Sequence, residues 1–139
     1  MSTPQPIAAL LRQPAFGLFA RAVLTLPYWA SGIAKLTNLP GALAEAGHFG
    51  LNPAGLVVAA TILVQLGGSI LLILGRLSWL AAGALATFTA LATVIAHPFW
   101  TVEDSMARFH ATNTFLEHIG LIGGFMLAAA LVEKERTGR

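Results

Sequence analysis

The sequence contains no cysteine and few charged residues, and both absences limit what the protein can be. Without cysteine, the chain has no disulfide, no thiolate metal ligand and no thiol redox chemistry of its own. Charged residues make up 10% of its 139 residues, whereas about 25% is usual for a soluble domain. Hydrophobic residues make up 56%. This composition predicts an integral membrane protein with a single domain and little mass outside the bilayer.

The basic residues are scattered along the chain, and the net charge is only +2. They do not form a patch that alternates with exposed aromatic residues, so we expect no nucleic-acid partner. The bilayer itself is the expected partner. The first apolar segment is interrupted by Arg21 and Pro27 and lacks a small-residue cleavage site, so we expect a retained helix rather than a signal peptide.

Four apolar segments are long enough to cross a membrane. The second and third contain no charged residue over about 20 positions, which spans a ~30 Å hydrocarbon core. The first contains Arg21 and Lys35 near its ends, and the fourth contains Glu117 and His118 near its start. The sequence predicts an all-α integral membrane protein over residues 1–139. We expect an antiparallel four-helix transmembrane bundle with short cytoplasmic termini and spans at residues 16–36, 54–74, 77–97 and 115–132.

The basic residues also predict an orientation. An even number of spans places both termini on one side, and most of the eight Lys and Arg residues lie on or near that side. Lys35 and Arg108 lie on the other side. The positive-inside rule then places both termini in the cytoplasm, with the protein in the cytoplasmic (inner) membrane of the cell. Between the first two spans, residues 41–47 could form a short interfacial helix.

A polar stripe runs along the first span. Its members recur at helical spacing and are Arg21, Thr25, Tyr28, Gly32 and Lys35. Because polar side chains inside a bilayer need partners, we expect this stripe to face the other helices. Arg21 lies near the cytoplasmic boundary, where its side chain can extend to the membrane surface.

Further polar residues fall near the outer end of the bundle. Lys35 ends the first span there, His97 ends the third, and Gln65 lies somewhat deeper in the second. Glu117 shares a face with Gly120 and Gly124, a small-residue pattern that lets helices approach closely. We therefore expect Glu117 to face the bundle, near Lys35, and the neighbouring His118 to be rotated away by about 100°.

Each polar residue also has a purely structural interpretation. Lys35 could extend to the interface or form an ion pair with Glu117. Gln65 could join two helices through a hydrogen bond of about 0.6 kcal/mol, and His97 could cap a helix end. No pair among His97, His110, His118 and Glu117 has the i, i+4 spacing of zinc-binding helices, so we expect no metal site.

Several segments together carry a family resemblance. They are Arg21 with the sequence SGIAKL at residues 31–36, QLGG at 65–68, HPFW at 97–100, and the stretch from Phe115 to the glycine pair at 123–124. In this order they resemble the DoxX family of small four-helix membrane proteins. That family often has an acidic residue where this chain has Gln65, and a neutral amide cannot exchange a proton. It often has Lys-Asn where this chain has Glu117 and His118.

The resemblance implies an association with membrane redox systems, since one branch of the family resembles a subunit of thiosulfate:quinone oxidoreductase. We expect a redox-associated subunit that holds a quinone-like or other small lipophilic molecule in the outer half of the bundle. The chain would have no intrinsic cofactor, and its partners would be a redox protein and further copies of itself. Whether it is an enzyme is left open. The predicted ligand-binding residues are Tyr28, Lys35, Gln65, His97, Trp100, Glu117 and His118. The alternatives are a non-enzymatic scaffold or assembly partner and, third, a small-solute permease.

Overall fold

The computed structural model describes residues 3–138, and its regular structure over that range is all helical. A π-helical turn, Leu63–Gly67, joins the fifth and sixth helices, and a 3₁₀ turn, Phe99–Thr101, lies between the last two. The helices are α1 (Gln5–Leu11), α2 (Pro14–Leu24), α3 (Leu26–Thr37), α4 (Leu39–His48), α5 (Ala54–Ile62), α6 (Gly68–Ile73), α7 (Ser78–Ala96) and α8 (Ser105–Thr137).

Three helical segments are long and apolar enough to cross a membrane, namely Ala54–Ile73, Ser78–Thr101 and Ser105–Thr137. A fourth is obtained if α1 and α2, which meet at 65°, are counted as one span. These segments correspond to the second, third and fourth predicted spans. The expectation of an all-helical chain with apolar membrane-crossing helices is therefore confirmed.

The first predicted span, residues 16–36, is wrong as a single helix. In the structure α2 ends at Leu24 and α3 begins at Leu26, with Thr25 between them. Pro27 lies in the first turn of α3 and has no N–H to continue the hydrogen-bond ladder from α2. At the break, the carbonyl of Arg21 accepts from both the backbone N–H and the hydroxyl of Thr25, at 3.1 and 2.8 Å. The apolar pattern continues through this break, which is why the pattern suggested one helix.

The ends of α7 and α8 follow from local sequence. Pro98 disfavours helical backbone at the residue before it, so α7 ends at Ala96. Asp104 caps α8, because its carboxylate accepts a hydrogen bond from the N–H of Ala107 at 2.7 Å. With 33 residues, α8 is much longer than its predicted span of 115–132.

The main core lies where α3, α6, α7 and α8 meet. Tyr28 contributes the ring at its centre, with its centroid 5.2 Å from that of Phe125 in an edge-to-face arrangement. Leu72, Leu85 and Phe125 are fully buried around it. A second, smaller core packs α4 against α5 through the buried side chains Ala42, Ala46 and Val58. As a result, α4 folds back over the bundle rather than forming an extended loop.

The turn between α6 and α7 requires left-handed backbone. Gly75 has a φ of 68° and Leu77 has a φ of 47°. A Cβ atom at Gly75 would lie 3.6 Å from a terminal nitrogen of Arg21. The guanidinium of Arg21 is therefore close to this turn at the C-terminal end of α6, where a helix favours positive charge.

One tight helix contact involves Gly32 in α3. A Cβ atom at this position would lie 2.8 Å from two side-chain carbons of Leu66 and 3.3 Å from the Cβ of Gln65. Only glycine lets α3 pack this tightly on the π turn. This contact sets the position of α3 beside the second membrane-crossing segment.

We expect Gly32→Ala to destabilise the protein by about 1–3 kcal/mol, because the added methyl group overlaps Leu66 and displaces α3. Gly83→Ala is the matched control, since nothing lies within 4 Å of a Cβ atom at this helical glycine. The control should be neutral or stabilising by up to about 1 kcal/mol. Thermal unfolding of both variants in the same detergent tests the contact. Equal midpoints would contradict the close packing of α3.

Candidate functional site

A groove of about 940 Å³ lies between α3, α4 and α5 on one side and α7 on the other. Most of its lining is apolar, and its volume lies in the range of small-molecule sites. Four of the predicted ligand-binding residues line this groove: Tyr28, Lys35, Gln65 and His118. Ser31, Glu45 and Thr89 add further polar groups to the wall. The structure therefore brings together just over half of the predicted set.

Gln65 lies in the π turn, with only 5% of its surface exposed. Its Nε2 donates to the hydroxyl of Ser31 at 3.2 Å and thereby links the π turn to α3. Its Oε1 is buried and has no hydrogen-bond partner. An unpaired buried acceptor costs about 1–3 kcal/mol. One polar atom of the amide therefore keeps an unused capacity to accept a hydrogen bond.

A row of polar side chains follows one face of α7. Thr89 and Thr93 each donate to the carbonyl four residues earlier, at 2.6 Å in both cases. A hydroxyl has one proton, so each threonine oxygen acts as an acceptor in its second contact. The hydroxyl of Tyr28 therefore donates to Thr89 at 2.6 Å, and Nδ1–H of His118 donates to Thr93 at 2.7 Å.

This arrangement assigns the tautomer of His118. With the proton on Nδ1, the neutral ring presents Nε2 as an acceptor. The ring of His97 lies edge-to-face with it, with 5.2 Å between centroids. His97 does not line the groove and reaches the site only through His118. The two rings form an imidazole pair beside the groove.

Lys35 has a different ion-pair partner from the one predicted. Its ammonium contacts the carboxylate of Glu45, on α4, and no contact with Glu117 occurs. The reason is that α4 packs back on the bundle and brings Glu45 to the end of α3. The Lys35 side chain is 19% exposed, so the pair lies at the margin of the groove rather than in its interior.

The prediction that Glu117 faces the bundle is also wrong. The buried face of α8 is set by Phe125, Ala128 and Val132. His118 precedes Phe125 by seven residues and shares that face, whereas Glu117 is rotated by about 100° and is exposed. The glycine pattern was misleading because only Gly124 packs closely, against Leu24, while a Cβ at Gly120 would meet nothing.

Trp100 is exposed and lies outside the groove. Its ring stacks edge-to-face with those of Phe99, at 5.2 Å, and Phe115, at 6.1 Å. These rings pack against one another where the chain connects α7 to α8. Within residues 3–138, no group of three or more His, Asp or Glu side chains is arranged to hold a metal ion.

Sequence reasoning missed Ser31, Glu45, Thr89 and Thr93. Thr89, Thr93 and His97 are spaced by four residues, and that spacing was the available signal for a polar face on α7. Glu45 had no comparable signal, because its position depends on how α4 packs. Ser31 lies one helical turn from both Tyr28 and Lys35. A slightly wider definition of the polar stripe on the first span would therefore have included Ser31.

Residues 16–98 match the family model described as DoxX, and this match includes α3 to α7 and most of the groove. No curated protein matches the sequence, and no solved structure does. Because the matched segment covers more than half of a chain of 139 residues, the protein belongs to the DoxX family.

Proposed function

We propose that this DoxX-family membrane protein is a redox-associated subunit that holds a quinone-like molecule, or another small lipophilic molecule with a polar head, in the groove. The observation that supports it most is the groove itself, which is about 940 Å³ in volume and largely apolar. Three of its polar groups lie on α3, namely Tyr28, Ser31 and Lys35, and Ser31 bonds to Gln65 of the π turn. A few polar groups in a largely apolar groove suit a lipophilic ligand with a polar head.

The proposed polar head would lie near Gln65 and Lys35. A quinone carbonyl accepts hydrogen bonds, which the ammonium of Lys35 or the amide of Gln65 can donate. A quinol hydroxyl donates one, which the unpaired Oε1 of Gln65 can accept. The amide therefore suits both oxidation states, although it cannot itself exchange a proton.

The apolar part of the ligand would lie along α7. Leu80 and Leu91 line the groove and are also exposed on the surface of the protein. In a bilayer those surfaces contact lipid, so a lipophilic ligand has a direct route from the membrane into the groove. A partner protein would supply the electrons, and the pair His97 and His118 would relay protons.

Filling the groove should abolish ligand binding. Ala84 lines the groove, so Ala84→Trp places an indole where the ligand would lie. Ala90 is on the same helix but outside the groove, so Ala90→Trp is the matched control. We expect Ala84→Trp to weaken binding of decylubiquinone at least about 10-fold and Ala90→Trp to leave it unchanged, by equilibrium dialysis in mild detergent. No binding to the unmodified protein, or equal binding by both variants, would contradict the proposal.

Removing the buried amide should affect recognition of the polar head alone. We expect Gln65→Leu to weaken decylubiquinone binding about 10-fold, which corresponds to one hydrogen bond of roughly 1.4 kcal/mol. Binding of decylbenzene, which has no polar head, should be unchanged. Asn113→Leu is the control, because Asn113 is an exposed amide on α8 outside the groove. A parallel loss for both probes would indicate that Gln65 only supports the fold.

A second candidate function, a non-enzymatic scaffold, is favoured by the pairing of polar groups within the bundle. Tyr28 is satisfied by Thr89, and His118 by Thr93, without any ligand. In that case these contacts serve helix packing, and typical intramembrane hydrogen bonds of about 0.6 kcal/mol would suffice. Lipid extracts of the purified protein distinguish the two functions, since a scaffold would retain no quinone.

A further inference from the structure

A second cavity, of about 400 Å³, lies at the opposite end of α7 from His97. It is formed where α7 begins and α8 ends, and only Trp79 is shared with the lining of the groove. The residues that line it are Ser78, Trp79, Ala129, Val132, Glu133 and Arg136. None of these residues has a role in the function proposed above.

Ser78 is the most unusual group in this cavity. It is the first residue of α7 and is only 5% exposed, yet its hydroxyl has no hydrogen-bond partner. Buried polar atoms are nearly always paired, either within the protein or with a bound molecule. The hydroxyl therefore marks a position at which a ligand with polar atoms would be stabilised.

The N-terminus of α7 adds two further donors. The first backbone hydrogen bonds of the helix run from the amides of Leu80 and Ala81 to the carbonyl of Leu77. The amides of Ser78 and Trp79 precede these bonds and have no intrahelical acceptor. The first turn has no acidic residue and no side-chain cap. The positive end of the helix dipole is therefore not compensated by side chains of this turn, and it favours an anion.

Two opposite charges from α8 complete the cavity. Arg136 and Glu133 lie one turn apart, with 3.9 Å between Nη1 and Oε2, and both side chains are largely exposed. Arg136 suits an anion such as phosphate. Glu133 would repel a simple anion but attract a cation. The lining therefore fits a ligand that carries both charges a short distance apart.

We propose that this cavity binds the headgroup of a zwitterionic phospholipid, with a phosphate next to a primary ammonium, as in phosphoethanolamine. The phosphate accepts hydrogen bonds from Ser78, the free amides of α7 and Arg136, while the ammonium donates to Glu133. Trp79 supports this assignment, because it is 68% exposed at the first turn of a membrane-crossing segment. Tryptophan at such positions lies at the level of lipid headgroups.

Thermal stability of the delipidated full chain in detergent tests the ligand class. We expect phosphatidylethanolamine to raise the unfolding midpoint more than phosphatidylglycerol, which lacks the ammonium, and more than phosphatidylcholine, whose quaternary ammonium cannot donate to Glu133. Equal shifts from the three lipids would overturn the proposal. Inorganic phosphate and soluble phosphoethanolamine identify the source of the ligand. If either matches the lipid at equal concentration, the site takes a soluble phosphate compound, and the lipid assignment is wrong.

Variants of Ser78 and Glu133 distinguish headgroup binding from a purely structural role of these residues. Ser78→Ala removes an unpaired hydroxyl, so the delipidated protein should be as stable as before, while its affinity for phosphatidylethanolamine falls at least fivefold. Ser105→Ala is the matched control, because Ser105 is the first residue of α8, whose N-terminus Asp104 already caps. Glu133→Gln should remove the preference for phosphatidylethanolamine over phosphatidylglycerol. An unchanged affinity in Ser78→Ala, or an unchanged preference in Glu133→Gln, would overturn the proposal.

Discussion

The contact of Gly32 with the π turn is the constraint on which the site depends. It sets the backbone of α3 directly against the side chains of Leu66 and Gln65, because Gly32 has no side chain of its own. At that distance Ser31 meets the amide of Gln65, and Tyr28 reaches across to Thr89 on α7. The π turn contributes because its extra residue re-aims Gln65 toward α3, a use typical of such turns at functional sites. The groove is the space left beside these contacts.

The polar groups of the bundle fall into two classes. Thr89 and Thr93 on α7 are satisfied, because each donates to its own helix and accepts from a neighbouring one. Gln65 and Ser78 instead retain buried atoms without partners. In a medium without water, the first class holds helices together, and the atoms of the second class keep an unused capacity for hydrogen bonding. Gln65 and Ser78 line different cavities, so we treat the cavities as separate sites, and Arg21, whose Nε is also unpaired, lines neither of them.

The family and three apolar membrane-crossing segments could be predicted from the sequence, because long charge-free runs and short ordered motifs are local properties. The helix break at Thr25 could not be predicted from the apolar pattern, since Pro27 interrupts the backbone hydrogen bonds without interrupting that pattern. The sequence also did not predict the ion-pair partner of Lys35, because the position of Glu45 depends on how α4 packs. On α8 the sequence placed Glu117 on the face toward the bundle, whereas its neighbour His118 lies there. The misleading signal was Gly120, which indicated a close helix contact that only Gly124 makes. The orientation and the identity of any ligand remain predictions.

The length of α8 has a mechanical consequence. His118 lies beside His97, one residue after the end of α7, so the 13 residues from Ser105 to Glu117 continue past that level. At 1.5 Å per residue this extension is about 20 Å of uninterrupted helix. It forms one rigid rod with the part that donates to Thr93. A rotation of that rod by a few degrees about His118 would move Ser105, at its N-terminal end, by about 1 Å or more, so a small shift at the histidine pair would be enlarged at the far end of the helix.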